Sequence, residues 1–316
     1  MTSLHQASGR WRFGLLLSLA TAACWATLPI ALKLVLDALD PITLTWFRFL
    51  VAALITGAWL AARGKLGGYR ALGRRGATLL LVAGLMLLGN YVFYLLGVQH
   101  TSPGNAQLLI QLAPLLMALG GIFVFGESFR AAQWIGLAVL VGGLALFFHD
   151  QLAQAMILEA RTPGSYVLGS SLIVLAALVW AVYALAQKQL LMRLSSMQVL
   201  CAIYALAALA LWPFATPSAL LTLDSTHAWL LLYCALNTVV AYGAFAEALA
   251  HWEASRVSAV LATTPLLCIG AVSVVHALWP AWLAPERIGT FGWVGAGLAV
   301  AGSAAVSLLG RRGRIG

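Results

Sequence analysis

The chain has 316 residues, of which 62% are hydrophobic and only 9% charged, whereas about 25% of an ordinary soluble domain is charged. With a mean hydropathy of +0.95 there is too little charge to cover a water-facing surface and too much Leu, Ala and Trp for disorder, so a soluble globular domain is excluded. The net charge of +9 would point to nucleic acid in a soluble protein, but here the position of each basic residue decides its meaning.

Ten apolar runs follow one another: Phe13 to Leu36, Ile42 to Ala62, Ala77 to Val98, Ala106 to Phe125, Ala131 to Phe148, Val167 to Leu190, Val199 to Ala215, Trp229 to Ala250, Val257 to Val275 and Ile288 to Leu309. A bilayer crossing takes about 20 apolar residues in a helix. None of the runs alternates with period two, which argues against a transmembrane barrel. The expected fold class is all-α, a polytopic membrane protein of ten transmembrane helices. Arg10 and Arg12 before the first run, and Ala20-Thr21-Ala22 within it, have a rival reading as a signal peptide. The run continues to Leu36, longer than a signal core needs, and is read as the first span.

Basic residues accumulate on the cytoplasmic side of membrane proteins. The loop after span two holds Arg63, Lys65, Arg70, Arg74 and Arg75, and alternate counting places Arg10, Arg12, Arg130, Lys188, Arg193, Arg256 and the terminal Arg311, Arg312 and Arg314 on the same side. Both termini are therefore expected in the cytoplasm, and the positive charge reads as a topology signal that needs no nucleic acid. Cys24, Cys201, Cys234 and Cys268 fall inside apolar runs without a C-x-x-C pair, the pattern of packing thiols with no metal site or cofactor implied.

Spacing suggests a duplication with the halves at 1–150 and 151–316. Trp25 and Lys33 recur as Trp180 and Lys188; Tyr91, His100 and Pro114 as Tyr242, His251 and Pro265; Glu127, Trp134, Gly136 and Gly143 as Glu286, Trp293, Gly295 and Gly302. Five spans per unit is an odd number, so the second unit must enter the membrane from the opposite side. Two inverted five-helix repeats with a site near the midplane are a transporter architecture.

Polar groups inside a bilayer are expensive and mark candidate pathways. Those of the first half are Asn90, Tyr91 and Tyr94 in span three, with Gln107 and Gln111 in span four, one turn before Pro114. Those of the second half are Tyr183 in span six, Asn237 and Tyr242 in span eight, and Thr263 and Thr264 before Pro265 in span nine. An interhelical hydrogen bond is the alternative role for each. Trp25 and Trp180 lie about 12 Å along the axis from Lys33 and Lys188, toward the midplane, where an indole can stack on a planar solute. Pro114 and Pro265 are read as mid-helix prolines that loosen spans four and nine. Lys33 and Lys188 either snorkel to headgroups or gate the two mouths. Arg48 is harder to snorkel, with Asp37 and Asp40 as candidate partners, and Glu247 is the candidate partner of Lys188. Trp134, Trp229, Trp279, Trp282 and Trp293 near span ends suit interfacial belts. Gly136, Gly143, Gly295 and Gly302 suit close backbone approach of spans five and ten, and Glu127 and Glu286 suit the dipoles at the starts of those spans.

In its Ala22-Ala23-Cys24-Trp25-Ala26 stretch and the echo Ala176-Ala177-Leu178-Val179-Trp180-Ala181, in Ala113-Pro114-Leu115, and in Gly126-Glu127 followed by Trp134-Ile135-Gly136 and Gly142-Gly143, the chain resembles the drug/metabolite transporter superfamily, in its ten-span EamA branch. The resemblance covers nearly the whole chain and departs at Pro285-Glu286, where the second Gly-Glu step is lost. It implies alternating access, a cavity lined by spans one, three, four, six, eight and nine, and export of small metabolites. Within the branch the chain looks most like YddG-type aromatic amino-acid exporters, on Trp25, Tyr91, Tyr94, Trp180 and Tyr242. The expected function is thus an inner-membrane exporter of amphipathic small metabolites, amino acids including aromatic ones among them. Asn90, Gln107 and Gln111 would hold the polar end, and the aromatics the side chain. The residues supply no midplane carboxylate for proton coupling, so export down the solute gradient is expected, by a monomer whose partners are the solute and the lipid bilayer. An intramembrane enzyme would need a motif such as G-x-S-x-G or H-E-x-x-H, and neither occurs.

Overall fold

A computed structural model describes residues 7–100, 109–147, 149, 165–280 and 289–309. Gln107, Trp282 and Glu286 lie outside the described residues, as does the side chain of Lys33. The described residues form eleven α-helices and three short 3-10 segments, without a strand. The helices are α1 (Trp11–Leu36), α2 (Pro41–Ala62), α3 (Gly73–His100), α4 (Leu112–Phe125), α5 (Ala131–Phe147), α6 (Ser165–Leu190), α7 (Ser196–Leu211), α8 (Ser225–His251), α9 (Ala254–Leu261), α10 (Thr264–Leu278) and α11 (Thr290–Leu308). Seven segments are long and apolar enough to cross a membrane, the last of them the continuous stretch Ala254–Leu278 that contains α9 and α10; Leu112–Phe125, Ala131–Leu146 and Thr290–Val306 are shorter apolar helices. The protein is therefore an all-helical, multi-pass membrane protein.

Local sequence explains where several helices begin and end. Asp40 accepts from the backbone N–H groups of Ile42 (3.0 Å) and Thr43 (2.9 Å) at the start of α2, with Pro41 in the first turn, where its missing N–H is harmless. Ser195 and Gln198 form a reciprocal capping box on α7. Gly126 ends α4 at φ +64°, a left-handed conformation that costs glycine nothing.

Most of the larger helix contacts have a counterpart when 1–150 and 151–316 are exchanged. α3 runs along α6, as α8 runs along α1; α4 packs on α6, as α9 and α10 pack on α1; α2 meets α8, as α7 meets α3; and α2–α7 and α5–α11 are pairs between equivalent helices. The α5–α11 seam is closed by glycines. A Cβ on Gly302 would lie 2.4 Å from the Leu140 backbone nitrogen and 2.6 Å from the Gly136 carbonyl, and one on Gly143 would lie 2.5 Å from the Ala299 nitrogen. Only bare backbone fits at that separation, so the two helices act as a scaffold. The outward surface is apolar: Leu16, Leu54, Phe123, Ile135, Leu209, Trp134, Trp229 and Trp293 are exposed, a surface that lipid, and not water, can cover.

Candidate functional site

Aromatic side chains from six helices meet inside the bundle. Trp25 on α1 stands edge-on to Trp180 on α6 (ring centroids 5.7 Å apart, planes at 74°) and to Tyr242 on α8 (5.3 Å, 63°), and lies 5.7 Å from Phe245. Tyr183 lies 6.1 Å from Tyr242 and 6.4 Å from Phe245. Tyr91 on α3 joins through Tyr242 (6.3 Å) and through Phe49 on α2 (4.7 Å), and Tyr204 on α7 backs Phe49 at 6.0 Å. Trp180 with Tyr183, and Tyr242 with Phe245, are three residues apart, which puts each pair on one helix face. The edge-to-face contacts bring positive ring edges to negative ring faces. Trp180, Tyr183, Tyr242 and Phe245 are buried, whereas Trp25 and Tyr91 remain half-buried. The sequence-derived residues Trp25, Tyr91, Trp180, Tyr183 and Tyr242 are thus brought together. Phe49, Tyr204 and Phe245 join them unannounced; only the repeated i, i+3 aromatic spacing at Tyr242 and Phe245 could have signalled one of the three.

Arg48 borders this cluster with its side chain buried. Its Nε donates to Thr238 Oγ1 (2.9 Å) and its Nη2 to the Tyr91 hydroxyl (3.3 Å), while the guanidinium lies 5.1 Å from the centre of the Tyr91 ring. The expected partners Asp37 and Asp40 are elsewhere: Asp40 caps α2, Asp37 follows the last residue of α1, and both line a surface depression with Leu95. The local need of a helix start for an acceptor takes Asp40 out of reach of Arg48.

Other polar candidates take different roles. Asn90 Nδ2 donates to the Ala176 carbonyl (3.0 Å), tying α3 to α6. Asn237 Nδ2 donates to the Cys24 carbonyl (2.9 Å), tying α8 to α1 at the equivalent seam. Gln111 is buried at the entry to α4, and Tyr94 lies in the electrostatic neighbourhood of Cys268 on α10. The Tyr183 hydroxyl, Thr264 Oγ1 and both amide atoms of Gln187 are buried without a hydrogen-bond partner among the described residues. Gln187 stands one helical turn from Tyr183 and was not singled out from sequence, because a single Gln beside Lys188 carries no distinguishing spacing.

Pro114 and Pro265 do not interrupt helices from within. Each sits in the first turn of a helix, α4 and α10, where no i−4 carbonyl awaits its missing N–H. The break they mark in the ninth span is the turn at Ala262 and Thr263 between α9 and α10. Among the described residues, the proline that sits well inside a helix is Pro29 of α1, which cannot donate to the carbonyl of Trp25 four residues back.

At the other end of α6, Lys188 does not pair with Glu247. It donates to Glu127 in the α4–α5 corner, with the two side chains 2% and 6% exposed, and lies 4.7 Å from the Phe125 ring centre. Glu127 also accepts from the backbone N–H of Ala254 (2.7 Å), the backbone N–H of Ser255 (3.0 Å) and the Ser255 hydroxyl (2.6 Å). Glu127 thus serves the start of α9, and not, as its place before span five suggested, the dipole of α5. Burial alone would raise the Glu127 carboxyl, but Lys188 and the Ser255 donors outweigh it and hold the group below its ordinary range. Gly121 makes room, since a Cβ there would lie 2.6 Å from Glu127 Oε2. Glu247 instead accepts from Ser196 Oγ (2.6 Å) and contacts the His251 ring (3.2 Å).

The EamA-like transporter family model matches residues 12–149 and again residues 167–308. The chain belongs to the EamA-like transporter family. It is 39% identical over 300 residues to an inner membrane transporter of Escherichia coli (strain K12), YhbE, covering 95% of this chain and 92% of that one. It is 34% identical to a Haemophilus influenzae transporter, covering 95% of each. A probable amino-acid metabolite efflux pump of Salmonella typhimurium is 25% identical over 275 residues, covering 82% of this chain and 85% of that one. A solved crystal structure shares the fold at a TM-score of 0.70 and 23% identity, covering 96% of this chain and 99% of that chain.

Proposed function

We propose that this EamA-family transporter is an inner-membrane exporter of small amphipathic metabolites, amino acids with aromatic or bulky apolar side chains among them, working by facilitative alternating access. The observation that carries the reading is the aromatic centre, to which α1, α2 and α3 of one half and α6, α7 and α8 of the other contribute. A solute held there touches both halves, so their relative movement can expose it to either side. Support for the two halves as inverted five-helix repeats, 1–150 and 151–316, comes from the exchangeable packing pattern and from the double family match. With five spans each, and basic loops on one side, both termini lie in the cytoplasm.

The printed description of the Salmonella relative as an amino-acid metabolite efflux pump agrees in solute class with an aromatic centre flanked by hydrogen-bonding groups. Facilitative transport is supported by the engagement of the acids: among the described residues Glu127 is bound to Lys188 and to α9, and Glu247 to Ser196 and His251. Neither stands in the aromatic centre as a proton carrier.

Counterflow of labelled phenylalanine in vesicles reconstituted with the protein tests this. Saturable counterflow that persists when a proton gradient is collapsed, and that falls at least tenfold in Trp180→Ala at unchanged protein content, is the expected result. Uptake that requires an imposed proton gradient would overturn the facilitative mechanism, and absence of counterflow for any bulky apolar amino acid would overturn the solute class.

A further inference from the structure

Among the described residues Arg48 is a cation with no carboxylate bonded to it. It is 3% exposed, and among the described residues both of its hydrogen-bond partners, Thr238 and Tyr91, are neutral hydroxyls. Thr238 itself donates onward to the Cys234 carbonyl (2.9 Å), so its hydroxyl is oriented to accept from Arg48. A guanidinium has five N–H donors in a planar fork that matches a carboxylate, and these two bonds use two of them. The described acids are engaged elsewhere: Asp40 at the α2 start, Glu127 with Lys188, Asp224 with His227, Glu247 with Ser196 and His251, and Glu253 with Arg256. Asp37 closes the end of α1. Leaving a buried cation without a counter-charge is costly, and such residues inside a bilayer face pathways.

The surroundings of Arg48 define what would neutralise it. Tyr91, which accepts its bond, lies tilted against Phe49 and Tyr242, and Tyr183, whose buried hydroxyl has no hydrogen-bond partner among the described residues, lies 6.1 Å from Tyr242. The site therefore offers a fixed positive charge, phenol hydroxyls and aromatic faces, and the described residues bring no carboxylate to it that could read an ammonium.

We propose that Arg48 is the receptor for the carboxylate of the transported solute, and that the site selects aromatic and bulky apolar carboxylic acids by their anionic end, the α-amino group being dispensable. The proposal rests on the reading of the aromatic centre as the transport site and adds the ligand class. Arg48 donates through its unused N–H groups to the carboxylate, Tyr91 and Thr238 fix the guanidinium plane, and Trp25, Trp180 and Tyr242 flank the solute's apolar end. The 2-oxo and 2-hydroxy acids related to bulky amino acids then become substrates alongside the amino acids themselves.

The test is competition against labelled phenylalanine counterflow in reconstituted vesicles, using phenylalanine, phenylpyruvate, phenylalaninamide and phenethylamine. In wild-type protein, phenylpyruvate should compete within about threefold of phenylalanine, and the two compounds without a carboxylate between about 10- and 100-fold more weakly, the range of a charge-assisted pair. Arg48→Gln should remove most of that difference, and Arg48→Lys, a point charge without the fork, should restore part of it. Equal competition by the amide and the acid in wild-type protein would overturn the proposal while leaving the transport reading intact, as would an Arg48→Gln protein that keeps the preference. If phenylpyruvate fails to compete, the dispensable amino group is overturned. Wild-type protein that moves no aromatic solute would defeat the transport reading itself, and with it this inference. The wild-type series needs no variant to fold.

Discussion

Two buried cations lie in this bundle in opposite electrostatic situations. Lys188, at the end of α6, is paired with a carboxylate that also binds Ala254 and Ser255. Arg48, beside the aromatic centre, has only hydroxyl partners among the described residues. Both are buried positive charges within candidate spans, of a kind a bilayer disfavours, yet among the described residues one has its counter-charge and the other does not. The Lys188 site joins α6, the α4–α5 corner and α9, so it holds helices of both halves together. The Arg48 site is the one proposed to take the carboxylate of a solute. Charge alone therefore does not tell a structural cation from a binding one; the anion inventory around it does.

Breaking the completed site should have the largest effect. Lys188→Met leaves a buried carboxylate, and removing one partner of a buried pair costs about 3–5 kcal/mol; thermal unfolding in detergent should show a far larger drop for Lys188→Met than for Arg48→Gln, and equal drops would erase the contrast. Next, Gly302→Val should destabilise by roughly 1–3 kcal/mol through overpacking of the α5–α11 seam, without altering the relative affinity for acids and amides, because the seam lies apart from the site. A shift in that preference would show the seam to be part of the pathway. The completed site should also be acid-sensitive. Because the folded-state pKa of Glu127 is lowered, its contribution is fully present above the unfolded value, about 4.3, and is lost as the pH falls through the lower folded value. Melting temperatures measured downward from pH 6 should fall in wild-type protein, and the part of that fall due to the ion pair should be absent in Lys188→Met. The smallest effect is expected at a helix end far from either cation: Ser195→Ala removes the α7 capping box for about 1 kcal/mol, with solute preference unchanged.

The aromatic centre was in large part legible because its members repeat. Trp25 with Trp180, and Tyr91 with Tyr242, are matched at offsets of similar length, and the members of each matched pair lie against one another. Tyr204 and Phe49 have no such mark and enter only because α2 packs on α7. The ion pairs expected from sequence are replaced for different local reasons. Asp40 is claimed by the free N–H groups at the start of α2, Glu247 by the Ser196 hydroxyl and the His251 ring, and Glu127, which Lys188 takes instead, by a helix more than a hundred residues away.

Composition and periodicity by themselves determined the class of this protein: apolar runs of bilayer length, few charges within them, and glycines seven apart where two helices touch. These are one-dimensional properties, since lipid imposes length and polarity on each span separately. Which anion meets which cation was decided only by the tertiary structure. An electrostatic pair depends on separations of a few ångströms between helices that no spacing along the chain records, and so the pairing of Lys188 with Glu127, and the hydroxyl partners of Arg48 among the described residues, became visible only once the helices were packed.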